Sequence, residues 1–178
     1  TVVAKPSADT PISTLMLAEI FHKAGLPAGV FNVVTGAGRA IGDAMVNHPI
    51  PRKVAFTGGT TAGKAIAAAA VQTMKRVTLE LGGKSPVVLG EDADIARAAK
   101  WISWGKVVNA GQICVAPDHV YAPQAMLPAL GAAIKAEWQA MAKAGTTAIV
   151  NERHYARLTA LLADASAKGA QVEALGPD

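Results

Sequence analysis

The sequence is poor in cysteine, with one among 178 residues. That excludes an internal disulfide framework and any cysteine-rich zinc module. It also sets the expectation of a reducing, cytoplasmic location. The four histidines fall at positions 22, 48, 119 and 154 with no metal-ligand spacing, so no metal site is expected. Charge is sparse as well: 17 basic against 13 acidic residues leave a net +4, with no basic run. A nucleic-acid-binding patch is therefore not expected. No stretch approaches the roughly 18 apolar residues of a membrane span, and no signal peptide is visible. Intrinsic disorder is excluded by 51% hydrophobic and only 17% charged residues. The glycines and prolines are too scattered for collagen or a linker. There is no initiating methionine. The chain opens at Thr1 on a strand-like run and closes on Gly176-Pro177-Asp178 after another, which points to a segment of a longer protein.

What the chain does have is alanine, 38 residues of it, which favours helices with small side chains. Strand and helix signals alternate. Strands are predicted over Thr1–Ala4, Val30–Val34, Lys53–Thr57, Arg76–Leu81, Pro86–Leu89, Val115–Tyr121 and Gln171–Leu175. Helices are predicted over Ile12–Ala24, Gly38–Asn47, Thr60–Met74, from a cap at Asp92-Ala93-Asp94 to about Val108, Gln124–Ala144 and Glu152–Lys168. Asn109–Cys114 reads as a loop. This alternation predicts an α/β fold: a Rossmann-like parallel sheet with helices on both faces, followed by the start of a second α/β domain. The character changes at the Leu81–Lys84 stretch, so the domains are set at 1–80 and 81–178. In parallel sheets ligands gather at the carboxyl ends of strands, where the glycine-rich turns lie.

Four segments carry possible chemistry, each beside a plainer reading. Phe56-Thr57-Gly58-Gly59-Thr60 follows a strand and opens a helix, as a phosphate site requires. Gly58-x4-Gly63-Lys64 mimics a P-loop, but Ala65 cannot replace the serine or threonine that holds magnesium. A ligand-free glycine turn fits equally. Val34–Gly42 approximates a dinucleotide fingerprint with its last glycine one residue late. Glu80 ends a strand before Gly82-Gly83, where partial desolvation would suit it to act as a base; the plainer reading is an ion pair with Lys75 or Lys84. Cys114 follows Gly111, so a tight turn could aim a thiol and its own N–H at one point, as acyl chemistry needs. The plainer reading is a buried apolar cysteine. Asp118 and His119 are adjacent on a strand and expected to point apart. The histidines are read as structural or surface residues, Trp101 and Trp104 as packing residues, and the five methionines as core filler.

Taken together, Val3-Ala4-Lys5-Pro6-Ser7, Gly25-Leu26-Pro27-Ala28-Gly29-Val30-Phe31-Asn32, Phe56-Thr57-Gly58, Leu79-Glu80-Leu81-Gly82-Gly83-Lys84-Ser85-Pro86 and Gly111-Gln112-Ile113-Cys114 resemble the aldehyde dehydrogenase superfamily. Asn109–Asp118 and Ile149–Leu158 look like its coniferyl aldehyde, class 3-like branch. The resemblance implies Cys114 as nucleophile and Glu80 as general base. It implies a cofactor site at Lys5 and Ser7 (ribose), Thr57, Gly58 and Gly59 (pyrophosphate), and Leu81 and Gly82 (nicotinamide border). The implied cofactor is NAD, and the implied reaction oxidises an aldehyde, aromatic or medium-chain, to an acid through a thiohemiacetal and a thioester. A homodimer or homotetramer is implied, with no nucleic-acid or membrane partner.

Departures from the family pattern carry their own expectations. Where the family commonly has glutamate after Lys–Pro–Ser, this chain has Ala8, so NADP should be tolerated beside NAD. Gly59 stands where the family has serine, which removes one hydroxyl from the phosphate turn. The oxyanion-hole asparagine, the nicotinamide-ribose glutamate and the subunit-exchange strands of the family have no counterpart in the 178 residues, and the Ala140–Thr147 stretch looks short. This exact chain is therefore expected to turn over weakly or not at all. The competing readings are an inactive fragment of such an enzyme, a P-loop hydrolase and an acylating dehydrogenase.

Overall fold

A computed structural model describes residues 1–142, 145 and 147–175. The chain forms two compact units, Thr1–Leu81 and Gly82–Asp178.

In the first unit the order is β1 (Val2–Ala4), α1 (Ile12–Lys23), β2 (Phe31–Val33), α2 (Gly38–Asn47), β3 (Lys53–Thr57), α3 (Thr60–Val71) and β4 (Arg76–Glu80). β1 pairs with β2 and β3 with β4, both in parallel. In the second ladder Val54 lies opposite Val77 and Phe56 opposite Leu79, and these four form the more covered face. The alternation is the period-2 signature of half-buried strands. The same register brings Thr57 level with Glu80 at the carboxyl ends.

The second unit runs β5 (Ser85–Val88), α4 (Ile95–Val107), a 3-10 turn over Val108–Gly111, β6 (Pro117–Tyr121), α5 (Leu127–Ala142) and α6 (Glu152–Ala167). β5 and β6 are parallel neighbours. Asp94 caps α4 by accepting from the Arg97 N–H at 3.0 Å. Alanine content explains how α4 packs on α5. Ala99 and Ser103, one turn apart, are fully buried, and Leu130 on α5 is almost so. Side chains this small let two helices approach closely, and the Ser103 hydroxyl donates to the Ile134 carbonyl at 3.5 Å.

The α/β class and the parallel pairing match the sequence expectation; among the described residues the ladders are three two-stranded pairs. Other details differ. Gln171–Leu175 is not a strand. β6 starts at Pro117 rather than Val115, because Ile113–Ala116 form a turn closed by Ala116 N–H donating to Ile113 O at 3.1 Å. α3 stops at Val71 rather than Met74. Its end is a Schellman motif: Lys75 N–H donates to Ala70 O and Met74 N–H to Val71 O, with Met74 left-handed at φ 53°. α1 ends in the same motif on Gly25, as α6 does on Gly169. Met16 and Met74 are exposed rather than core filler. Trp101 and Trp104 stack edge to face at 5.8 Å, yet both remain more than half exposed. The expected helix residues 143 and 144, and the closing 176–178, lie outside the described residues.

Candidate active site

Cys114 lies in the second unit on an exposed turn. The backbone leading into it is unusual. Asn109, Ala110 and Gly111 have φ of 52°, 53° and 71°, three left-handed residues in a row. Gly111 adopts this freely; Asn tolerates it; Ala110 does so at about 1–2 kcal/mol. Such strain persists only where surroundings over-determine it. Here they do. Gln112 N–H donates to Asn109 O at 3.1 Å. The two side chains reinforce the turn: Asn109 Nδ2 donates to Gln112 O at 3.2 Å and Gln112 Nε2 to Asn109 O at 2.9 Å. The chain then enters the Ile113–Ala116 turn, with Cys114 as its second residue.

The floor beneath Cys114 comes from the segment that begins this unit. Gly83 lies so near that a Cβ there would stand 2.5 Å from the Cys114 carbonyl oxygen. Ser85 Oγ donates to that same oxygen at 3.5 Å. The Cys114 N–H has no partner among the described residues. A thiol and an N–H without a partner among the described residues stand on one residue, the pairing of groups that acyl chemistry uses. The thiol is exposed, so the plainer reading of a buried, inert cysteine is set aside.

A bulge between Ser85 and Pro86 shifts the ladder, so that Ser85 faces Pro117 while Pro86 faces His119. Pro86 cannot donate to the ladder, which suits a bulge. Asp118 is the extra residue. The broken alternation brings its Oδ2 within 3.4 Å of His119 Nδ1, so these neighbours do not point apart as the sequence predicts. Asp118 Oδ1 accepts from Lys84 at 2.9 Å, and this bond holds its carboxyl below the ordinary range. His119 also stacks edge to face on Tyr121.

The first unit gathers a second set of residues at the ends of β3 and β4. Gly58 N–H donates to Glu80 O at 3.0 Å, tying the glycine turn to the glutamate backbone. Leu81 packs against the first turn of α3; a Cβ on Gly63 would stand 2.6 Å from its Cδ2. Glu80 itself is exposed, so the desolvation expected for it is absent. Its suspected ion-pair partners are engaged elsewhere. Lys84 binds Asp118. Lys75 is 7% exposed and donates to Val46 O, His48 O and Thr73 Oγ1. It thus neutralises the carbonyl end of α2, a role the sequence does not reveal.

The glycine turn is the phosphate site that the sequence leads one to expect. Gly59 caps α3 without any side-chain hydrogen bond, and a Cβ there would meet nothing within 4 Å. The first turn of α3 thus carries no side-chain cap, while the Phe56 ring covers the Cβ side of the neighbouring Gly58. Lys5 and Ser7 follow β1; Lys5 donates to the Pro6 carbonyl and Ser7 Oγ accepts from the Asp9 N–H. No hydrogen bond or ion pair joins them to residues 57–59 among the described residues. Nor do the described residues hold any metal-binding group of three or more His, Cys, Asp or Glu. No helix among them is long and apolar enough to cross a membrane.

Comparison with known proteins gives these residues a context. The profile of the aldehyde dehydrogenase family matches residues 1–178, and the chain belongs to that family. Among similar solved structures is a cysteine-to-alanine mutant of aldehyde dehydrogenase C from Pseudomonas syringae in complex with NAD+ and octanal. It is 38% identical with a TM-score of 0.88, covering 96% of this chain and 37% of that one. An NADP-dependent enzyme from E. coli is 37% identical with a TM-score of 0.90, covering 98% of this chain and 38% of that one. Betaine aldehyde dehydrogenase from Staphylococcus aureus in complex with NAD+ is 29% identical with a TM-score of 0.88, covering 98% and 36%. The chain thus spans well under half the length of these relatives.

Proposed function

We propose that this chain is the cofactor-turn and nucleophile segment of an NAD(P)-dependent aldehyde dehydrogenase, with residues 1–80 binding cofactor and 81–178 carrying the catalytic cysteine. The observation that carries the proposal is the Cys114 turn: an exposed thiol beside its own unpartnered N–H, on a backbone fixed by a left-handed run and by Gly83. The Cys114 thiolate adds to the aldehyde carbon. A sulfur–carbon bond forms, the carbonyl π electrons move to oxygen, and the Cys114 N–H donates to that oxyanion. Thr57, Gly58, Gly59 and the α3 N-terminus would hold the pyrophosphate, Lys5 and Ser7 the ribose, and Leu81 and Gly82 would border the nicotinamide. The bound nicotinamide supplies the hydride acceptor. Glu80 takes a proton from water, which hydrolyses the resulting Cys114 thioester and frees the thiol. The net reaction consumes aldehyde, water and oxidised cofactor and releases acid, reduced cofactor and a proton.

The substrate class we infer is a medium-chain or aromatic aldehyde, of the coniferyl type. The Pseudomonas relative in complex with octanal supports the medium-chain half of that reading, and the sequence at 109–118 and 149–158 supports the aromatic half. We further propose a cytoplasmic homodimer or homotetramer. The test uses the complete gene product that carries this chain. Octanal or an aromatic aldehyde with NAD+ should produce reduced-nicotinamide absorbance, and Cys114→Ala should abolish it. Undiminished turnover by the alanine variant would overturn the assignment of the nucleophile.

A further inference from the structure

We propose that Gln112 is a positioning residue for Cys114, acting as an amide clamp between the cysteine turn and the entry to α6. The proposal rests on the reading of Cys114 as the nucleophile. Gln112 Nε2 donates to two carbonyls, Asn109 O at 2.9 Å and Ala148 O at 3.2 Å. Its Oε1 accepts from the Val150 N–H at 2.9 Å. The partners fix which end of the amide is which, because carbonyls require the NH2 group and a backbone N–H requires the oxygen. One side chain therefore bonds to its own turn and to a segment 36 to 38 residues away. That segment is itself anchored: Val150 precedes Asn151, which caps α6 by accepting from the His154 N–H at 3.0 Å.

The clamp sits two residues before the thiol, directly after the left-handed run Asn109–Gly111. Gly83 limits the turn on one side by its approach to the Cys114 carbonyl. Gln112 limits it on another through α6. Without the amide, the left-handed run keeps its 3-10 turn, the Gln112 N–H bond and the Asn109 side chain but loses its tie to the segment before α6. The turn that presents the thiol and N–H would then sample other conformations. Small misplacements of reacting groups cost rate more than they cost affinity.

The experiment compares Gln112→Met, Gln112→Glu and Cys114→Ala in the complete gene product. Methionine keeps the length and removes every hydrogen bond. Glutamate keeps the acceptor for Val150 N–H but sets a carboxylate against two carbonyls. The readouts are kcat and KM for octanal, the pH profile of iodoacetamide labelling at Cys114 by peptide mass, and Tm. Gln112→Met should lower kcat about tenfold or more with KM within about twofold, and should alter the labelling profile. Gln112→Glu should recover part of both. Wild-type kcat and labelling in Gln112→Met, with Cys114→Ala inactive, would overturn the clamp alone. So would a kcat loss in Gln112→Met that the glutamate variant shares fully while Tm falls equally in both. Turnover retained by Cys114→Ala would overturn the nucleophile reading itself.

Discussion

The α-carbon of Gly83 faces the carbonyl of Cys114 so closely that a methyl group on it would lie 2.5 Å from that oxygen. Contact with backbone cannot be relieved by turning a side chain. Gly83→Ala should therefore push the cysteine turn aside. A destabilisation of about 1–3 kcal/mol is expected from such overpacking, with a change in Cys114 alkylation rate. Urea unfolding and thiol labelling check both. Gly82, where a Cβ would meet nothing within 4 Å, should accept alanine with a much smaller effect on either.

Met74 closes α3 in a left-handed conformation that glycine occupies at the equivalent ends of α1 and α6. Its side chain is 88% exposed, so little packing is lost by trimming it. Met74→Gly should raise stability by about 0.5–1 kcal/mol, the relief of left-handed strain exceeding the added freedom of the unfolded chain. A Tm that fell would show that the methionine side chain contributes more than its exposure implies.

Asp118 is held below its ordinary carboxylate range by the Lys84 bond. A carboxyl depressed on folding stabilises the protein above its unfolded pKa, and that contribution is lost as pH falls through the lower folded value. The window lies at and below the ordinary value of 3.8. Lys84 is 81% exposed, so solvent screening keeps the effect within about 0.5 kcal/mol. Asp118→Asn should lower stability at neutral pH by up to that small amount, leave stability at the acid end nearly unchanged, and so flatten the acid limb of a stability-against-pH curve.

Ala8 is exposed just after the Lys5-Pro6-Ser7 stretch. With no carboxylate at position 8, one source of repulsion against a 2′-phosphate is removed, so the proposed enzyme should accept NADP beside NAD. Ala8→Glu should weaken NADP use about tenfold or more relative to NAD, since opposing a bound dianion with a carboxylate discriminates by repulsion. The ratio of kcat/KM for the two cofactors is the measurement. A ratio unmoved by the substitution would remove Ala8 from the specificity argument.

Local periodicity made the elements legible. Gly38–Asn47 and Lys53–Thr57 fall where the pattern predicts, because proline, glycine and alternating apolar residues speak for themselves over short spans. The candidate site residues were named through the family resemblance, since local sequence alone favoured plainer readings of Glu80 and Cys114. What the sequence withholds is long-range. Nothing near Lys75 announces that it caps a helix ending some thirty residues earlier. The bulge that turns Asp118 toward His119 depends on pairing between β5 and β6, which no local pattern records. Gln112 was visible as a motif letter, but its bonds to Ala148 and Val150 needed the fold. The strand expected over Gln171–Leu175 failed for the same reason: apolar content is local, whereas a strand requires a neighbour.

The exposure of Cys114 carries a consequence for handling and for cellular stress. Within these 178 residues there is no second thiol to resolve it. Peroxide would take this sulfur to the sulfenic acid, and no disulfide within this segment could then arrest it. A sulfenic acid left without a thiol partner proceeds to the sulfinic and sulfonic acids, and the damage becomes permanent.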